Sequence, residues 1–331
     1  MIESSIISKI KDASFVITGG VGFIGSNIVE YLLRNKAKKV KVIDDLSASE
    51  ERNIEEFKTN PAFSFHKVSI TERDDIYNVF EKGDIVLHLA ARGSVPRSID
   101  TPLITNNVNI NGFLNVLDVA REKKVDRVVF SSSSSVYGDN KDEIKVENRI
   151  GNPLSPYAAS KRGNELYAKA FSNVYDLKII GLRYFNVFGP KQNIHGPYAA
   201  VIPIFITNLL NNTASFINGD GSITRDFTFV QNVIEANVLA GFTDDERAFN
   251  SVFNIALGGK VSLNELYSSI QEKLGSSLAA EHRALRVGDI LHSCADTNKA
   301  KEILRFKPSI NLEDGLKITT DWYSKEHQQN R

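Results

Sequence analysis

The chain has 331 residues, with 40 lysines and arginines against 40 aspartates and glutamates, so its formal net charge is zero. That length can bury a large core, and the charge balance leaves nothing to draw the whole molecule to nucleic acid or to an anionic membrane. A single cysteine, Cys294, excludes an intrachain disulfide; with no leader-like apolar stretch and no run approaching a membrane span, the expectation is a cytoplasmic protein.

From the N-terminus, apolar runs rich in β-branched residues alternate with helical patterns. The runs are FVIT (15–18), VKVID (40–44), FSFHKV (63–68), DIVLHLAA (84–91), DRVVFSS (126–132) and LKIIGLRYF (177–185). Segments such as IGSNIVEYLLRN and NGFLNVLDVAREKK lie between them and space their apolar residues for a helix. This alternation predicts an α/β fold, a doubly wound parallel sheet (Rossmann-like) whose strands are apolar throughout because both faces are covered. Beyond residue 185 the pattern loosens into loops rich in Gly, Pro and Asn, with one further clear helix at SLNELYSSIQEKL. A first domain over 1–185 and a smaller mixed C-terminal substrate lobe over 186–331 are expected, with the chain free to cross between them.

The first strand runs into VITGGVGFIGSNIVEYL, which carries Gly19, Gly22 and Gly25 immediately before a helix. Glycine permits the tight turn and the close backbone approach that a pyrophosphate over a helix N-terminus needs, and Phe23 and Ile24 open that helix. About twenty residues on, the second strand ends at Asp44 and Asp45, where carboxylates can bind ribose hydroxyls. A 2′-phosphate there would meet two negative charges and no immediate arginine, so NAD is expected rather than NADP.

The fifth run ends in FSSSSSVYGD (130–139), which delivers Ser133, Ser134 and Ser135 to the carboxyl edge of the sheet, where open parallel sheets bind ligands. Further on, SPYAASK places Tyr157 four residues before Lys161 at the start of a helix opened by Pro156. Residues four apart share a helix face, and an ammonium beside a phenol favours the phenolate. On spacing alone this is either an acid–base pair or an ordinary amphipathic helix opening.

The glycine loop, the serine cluster and Tyr157-x-x-x-Lys161, in that order, resemble the extended short-chain dehydrogenase/reductase family over nearly the whole chain. The resemblance implies that Ser133 and Tyr157 hold a substrate hydroxyl, with Tyr157 as general base. It also implies that Lys161 binds the nicotinamide ribose and lowers the tyrosine pKa. Dehydratases and decarboxylases of the family carry a carboxylate before the VYG sequence; here Ser133-Ser134-Ser135 stands there, which points to a 4-epimerase.

The segments GSVPRS, IGNPLSPYA, GLRYFNVFGP, YAAVIP and INGDGSITRDF are similar to those of the family's bacterial epimerases acting on UDP-N-acetylglucosamine. By that similarity Ser94 and Asn186 contact the substrate and Tyr184 lies by the nicotinamide. Ala200, Val201, Phe216 and Asn218 lie near the uracil, and Arg225 and Arg286 clamp the diphosphate, a role suited to arginine's forked donors. Ser293 stands where a bulky tyrosine is associated with exclusion of N-acetylated sugars, so an acetamido group would fit. The activity implied is NAD-dependent interconversion of UDP-N-acetylglucosamine and UDP-N-acetylgalactosamine through a 4-keto sugar. UDP-N-acetylglucosaminuronate and UDP-glucose are the alternative substrates.

Three positions depart from the family pattern. Ser69 replaces an aspartate that often meets the adenine, and His195 has no evident role. Arg92 replaces an apolar residue beside the sugar loop; it is either solvated or paired with a sugar carboxylate. A non-catalytic NAD-binding regulator on the same fold is the rival reading, but such proteins lack the tyrosine or lysine present here. The six scattered histidines show no metal-ligand spacing, so no metal is expected. The resemblance further implies a homodimer through helices around 101–122 and 156–175.

Overall fold

The protein was analysed as a computed structural model that describes residues 2–193, 200–284 and 292–329. Seven parallel strands form its central sheet: β1 (Ser14–Thr18), β2 (Lys39–Ile43), β3 (Phe63–His66), β4 (Ile85–His88), β5 (Arg127–Ser133), β6 (Ile179–Tyr184) and β7 (Ser251–Ile255). Their order across the sheet is β7-β6-β5-β4-β1-β2-β3. All six runs read from the sequence are strands, and β7 is a seventh that the loosened C-terminal pattern had hidden. It pairs with β6 along its whole length, Ser251 opposite Ile180 and Ile255 opposite Tyr184.

The strands are apolar throughout because successive side chains feed two different cores. Phe15, Ile17, Ile85, Leu87 and Val129 pack on one face beneath α1 (Phe23–Arg34) and α5 (Val230–Phe242). Val16, Val86, Val128 and Phe130 pack on the other face, under α2 (Gly112–Lys123) and α3 (Pro156–Tyr175). The helix α3 begins where its sequence says it should: Ser155 caps it by accepting from Ala158 N at 3.1 Å, and Pro156 occupies the first turn.

The smaller lobe surrounds a third core made by α4 (Val201–Leu210), α6 (Leu263–Leu274) and α7 (Leu312–Gln329). A capping box starts α6, with Ser262 and Glu265 each satisfying the other's backbone amide. A four-stranded sheet carries Val261–Ser262, Thr224–Arg225, His292–Ala295 and Ile144–Lys145 in that order. Its last strand comes from the first half of the chain, while α5 and β7 return to the large sheet, so the chain passes between the two layers repeatedly. Among the described residues, no helix is long and apolar enough to cross a membrane.

Sheet order reverses between β1 and β4, the neighbours from which the chain winds outward in opposite directions. In open parallel sheets that reversal opens a crevice at the carboxyl edge. A cavity of about 1090 Å³ lies there, walled by residues from both lobes.

Candidate active site

One half of the cavity is built from the glycine loop. Gly19 has φ +71°, and a Cβ there would stand 2.6 Å from the backbone nitrogen of Ala90. A Cβ on Gly25 would overlap the carbonyl oxygen of Gly19, so this glycine lets α1 seat directly on the loop. A Cβ on Gly22, the cap of α1, would stand a tight 3.3 Å from the Gly19 carbonyl oxygen, so this glycine too keeps the loop close on the helix N-terminus. Phe23, Ile24, Asp44 and Asp45 line the same end.

Asp44 is held from both sides, accepting from Val21 N at 3.0 Å through Oδ2 and from Leu46 N and Ser49 Oγ at 2.9 Å through Oδ1. It therefore ties the end of β2 to the glycine loop and presents its remaining lone pairs to the cavity. Burial alone would raise the Asp45 carboxyl, but hydrogen bonds from Ser47 and from Ser69 hold it below the ordinary carboxylate range. Ser69, a departure from the family pattern, adds to the effect of Ser47 on Asp45. This cradle fits a dinucleotide: close-packed glycines, a free helix N-terminus for a diphosphate, and two carboxylates for ribose hydroxyls.

The other half carries the serines, Tyr157 and Lys161. Each serine of the run has a different task. Ser131 receives Lys161 Nζ on its carbonyl oxygen at 2.7 Å and on Oγ at 3.2 Å. Ser132 donates to the buried Glu165 at 2.7 Å, so it is structural. Ser133 is the serine whose hydroxyl acts on the Tyr157 phenol in favour of its ionised form, and it accepts from Ser135 N at 3.1 Å. Ser134 and Ser135 line the cavity, and Ser135 Oγ is buried without a hydrogen-bond partner. Pattern alone left Ser133, Ser134 and Ser135 equivalent; the contact with Tyr157 separates Ser133 from the rest.

One electrostatic expectation is corrected. The Tyr157 phenol is raised, because burial outweighs the opposing hydrogen bond from Ser133. Its side chain is half-buried and lines the cavity, and the desolvation that this burial brings disfavours the phenolate. Lys161 is drawn towards β5, with Nζ 6.0 Å from the Tyr157 ring centre. Its own ammonium is pushed down to about 8 by burial. His88, beneath it, is held down to about 3 by burial and by the Lys161 charge, and bonds Thr18 at 2.8 Å as a neutral ring.

Of the substrate residues expected from the sequence, Ser94, Ser133, Asn186, Arg225 and Ser293 line the cavity, as does Tyr184. Tyr184 exchanges hydrogen bonds with Asn237 at about 3 Å, which keeps its ring against the cavity wall. Ser94 caps the helix Val95–Asp100 with φ 98°, and Asn186 has φ 34°, so both stand in strained turns at the cavity edge. Arg225 and Ser293 are direct neighbours across paired strands.

Ala200, Val201, Phe216 and Asn218 do not line it. Val201 begins α4 with Ala200 as its cap, and Phe216 and Asn218 belong to a strand paired with Glu281–Arg283, where Arg283 covers the Phe216 ring. Arg286 and His195 lie outside the described residues.

Sequence reasoning missed Asp226. Its carboxylate accepts from Leu257 N at 3.1 Å, Gly258 N at 3.0 Å and Ala295 N at 3.2 Å, while its carbonyl accepts from Asn186 at 2.8 Å. It gathers the wall that holds Arg225, Asn186 and Ser293. No residue spacing signals this, because its partners are backbone amides far along the chain.

Known proteins share this fold over nearly the whole chain. A UDP-N-acetylglucosamine 4-epimerase from Methanobrevibacter ruminantium M1, solved with UDP-N-acetylmuramic acid, superposes with a TM-score of 0.90 at 39% identity, covering 96% of this chain and 99% of that one. The UDP-glucose 4-epimerase of Mycolicibacterium smegmatis is 36% identical over 315 residues, 95% of this chain and 99% of its own. The UDP-glucuronic acid 4-epimerase of Bacillus cereus, solved with UDP-glucuronic acid and NAD, has a TM-score of 0.86 at 28% identity, covering 95% and 98% of the two chains. Residues 15–256 match the model of the NAD dependent epimerase/dehydratase family. With a dinucleotide cradle and a Ser–Tyr–Lys centre facing one cavity, the chain belongs to that family, the extended short-chain dehydrogenases/reductases, and NAD is its cofactor.

Proposed function

We propose that the protein is a UDP-sugar 4-epimerase that interconverts UDP-N-acetylglucosamine and UDP-N-acetylgalactosamine. The observation that carries this reading is the distribution of carboxylates. Among the described residues, the only ones lining the cavity are Asp44 and Asp45, at the β2 end. The serines beside Tyr157 have no acid among them, so proton removal from sugar carbon, which elimination requires, has no base there.

The glycine loop with Asp44 and Asp45 would hold NAD, which would supply uptake and return of the C4 hydride of the sugar. Tyr157 exchanges the proton of the C4 hydroxyl, accepting it as the carbonyl forms and giving it back as the alcohol is remade. Ser133, the serine beside the phenol, holds the same oxygen and fixes its direction. Lys161, with its ammonium anchored on Ser131, keeps a remaining N–H to hold the nicotinamide ribose. Arg225 on the opposite wall suits the substrate diphosphate, and a held nucleotide lets the sugar ring turn without escaping. The small side chain of Ser293, lining the cavity beside Arg225, supports room for an acetamido group.

A homodimer is part of the proposal. Ile99, Leu103 and Val174 are 60%, 83% and 70% exposed on Val95–Asp100, Pro102–Asn106 and α3, an apolar face suited to a second copy.

The test is conversion by purified protein without added cofactor, with UDP-N-acetylglucosamine and UDP-glucose supplied separately and the C4 epimers resolved by proton NMR. Conversion of the acetylated sugar with little of the other is the expected result. Conversion of neither, even with NAD added, would overturn the neutral-sugar reading and bring the uronate forward.

A further inference from the structure

Arg92 stands four residues beyond β4, and its backbone is fixed on both sides. Its amide donates to Asn109 Oδ1 at 2.7 Å, and its carbonyl accepts from Asn109 Nδ2 at 3.4 Å. Its side chain is half-buried, and Nε is shielded from solvent with no hydrogen-bond partner among the described residues. A guanidinium cannot discharge itself by losing a proton, so a shielded Nε–H without a partner is costly until an acceptor meets it. The acids nearby are engaged: Glu50 pairs with Arg52 at 2.8 Å, and Asp44 and Asp45 are bonded within their own loop. An anionic ligand in the adjoining cavities would supply that acceptor.

Position decides which ligand. Besides the main cavity, Arg92 lines an adjoining one of about 420 Å³ together with Ser47, Ser49, Glu50, Arg97 and Asn193. The loop that includes Ser47 and Ser49 follows β2, two strands from β4 across β1 and so roughly 10 Å away at ordinary strand spacing. A side chain that leaves the end of β4 and reaches that loop passes over the end of β1, which is where the glycine loop lies. The backbone contact that a Gly19 side chain would make with Ala90 puts the β4 loop directly against the glycine loop. The sugar chemistry is on the opposite side of β4, at Ser133 on β5 and Tyr157 on α3.

We infer that Arg92 binds the diphosphate of the dinucleotide cofactor, closing over it from the β4 side while the N-terminus of α1 holds it from below. A retained cofactor is what a reaction without net redox needs, yet the inference stands on the cofactor site alone and not on the identity of the sugar. A cofactor clamp stands beside the two readings taken from the sequence, a solvated arginine and a partner for a sugar carboxylate.

The experiment titrates full-length, NAD-stripped protein with ADP-ribose and with adenosine by calorimetry, at low and moderate salt. In R92L the ADP-ribose affinity is expected to fall about 10- to 100-fold, the range for a lost hydrogen bond to a charged group. Adenosine, with no phosphate, should change less than about twofold, the salt dependence should flatten, and R92K should recover part of the loss. R92Q serves the same purpose should R92L fail to fold. ADP-ribose affinity within about twofold of the parent, or equal weakening of ADP-ribose and adenosine, would overturn the inference. So would a loss confined to UDP-N-acetylglucosaminuronate relative to UDP-N-acetylglucosamine, which would return Arg92 to the sugar.

Discussion

Lys161 Nζ donates to the carbonyl oxygen of Ser131 at 2.7 Å, so the one buried ammonium of α3 is anchored on β5 rather than on the tyrosine one turn before it. The contact fixes α3 to the carboxyl edge of the sheet and brings Tyr157 to Ser133, two residues further along the same strand. It also explains why Tyr157 is a raised phenol in this structure: the nearest charge is pointed at a carbonyl, and burial prevails.

Tyr157→Phe should abolish proton exchange at the sugar oxygen while leaving the cavity intact. A fall in kcat of about 10²- to 10⁴-fold is expected, with NAD still present in the purified protein. Steady-state turnover and cofactor extraction from the same sample read the two quantities; a variant retaining near-parental kcat would remove Tyr157 from the reaction.

The buried His88 makes stability fall in acid. Its ring is held down to about 3 in the folded protein against 6.5 for the free side chain. Between those values the unfolded chain binds the proton and the folded chain does not, so stability declines as pH falls through that window, by about 1.4 kcal/mol per unit at most. Asp226, pushed up to about 6 by burial, acts in the opposite sense between about 6 and its ordinary 3.8. Denaturant melts of the parent and His88→Gln at pH 6.5 and 5 isolate the histidine: the parent should lose about 2 kcal/mol more than the variant. Equal losses would mean that His88 titrates normally.

Arg183 and Glu165 form a bidentate pair at 2.8 and 2.9 Å, both side chains nearly inaccessible, with Ser132 and Arg162 also on the carboxylate. Arg183→Met strands a buried charge and should cost about 3–5 kcal/mol in urea unfolding. Removing both partners, Arg183→Met with Glu165→Leu, should cost less than the single change, because no uncompensated charge remains. A double variant weaker than the single one would show that the pair itself is strongly stabilising.

Ser293→Tyr should narrow the sugar pocket. The ratio of kcat/KM for UDP-N-acetylglucosamine to that for UDP-glucose is expected to drop about tenfold or more, the usual worth of a steric contact in a shaped pocket. An unchanged ratio in competition assays would place the acetamido group elsewhere.

How much of this was readable from residues alone differs from element to element. Phe15, Val16 and Ile17 announced a doubly covered strand because an apolar residue at every position admits few other solutions. The glycines of the first loop were equally plain, since no other residue tolerates the contacts at Gly19 and Gly25. Strand β7 was not legible: Ser251–Ile255 begins with a serine and includes Asn254, whose side chain serves Tyr137, Lys145 and Asp296 across three segments. Phe216 and Asn218 read as ligand residues only by similarity, and the register with Glu281–Arg283 puts them away from the described cavity.

What the sequence determined by itself is local: the alternating periods, the cap and proline that start α3, the glycines that admit a diphosphate, and the tyrosine and lysine on one helical face. Each follows from forces acting within a few residues, so spacing carries the information. Only the tertiary structure decided where the Lys161 ammonium points, that the Ser132 hydroxyl turns to Glu165, and that Asp226 gathers the substrate wall. Those depend on sheet order and on hydrogen bonds between segments distant along the chain, and the free energy of such contacts leaves no periodic trace in the residues that make them.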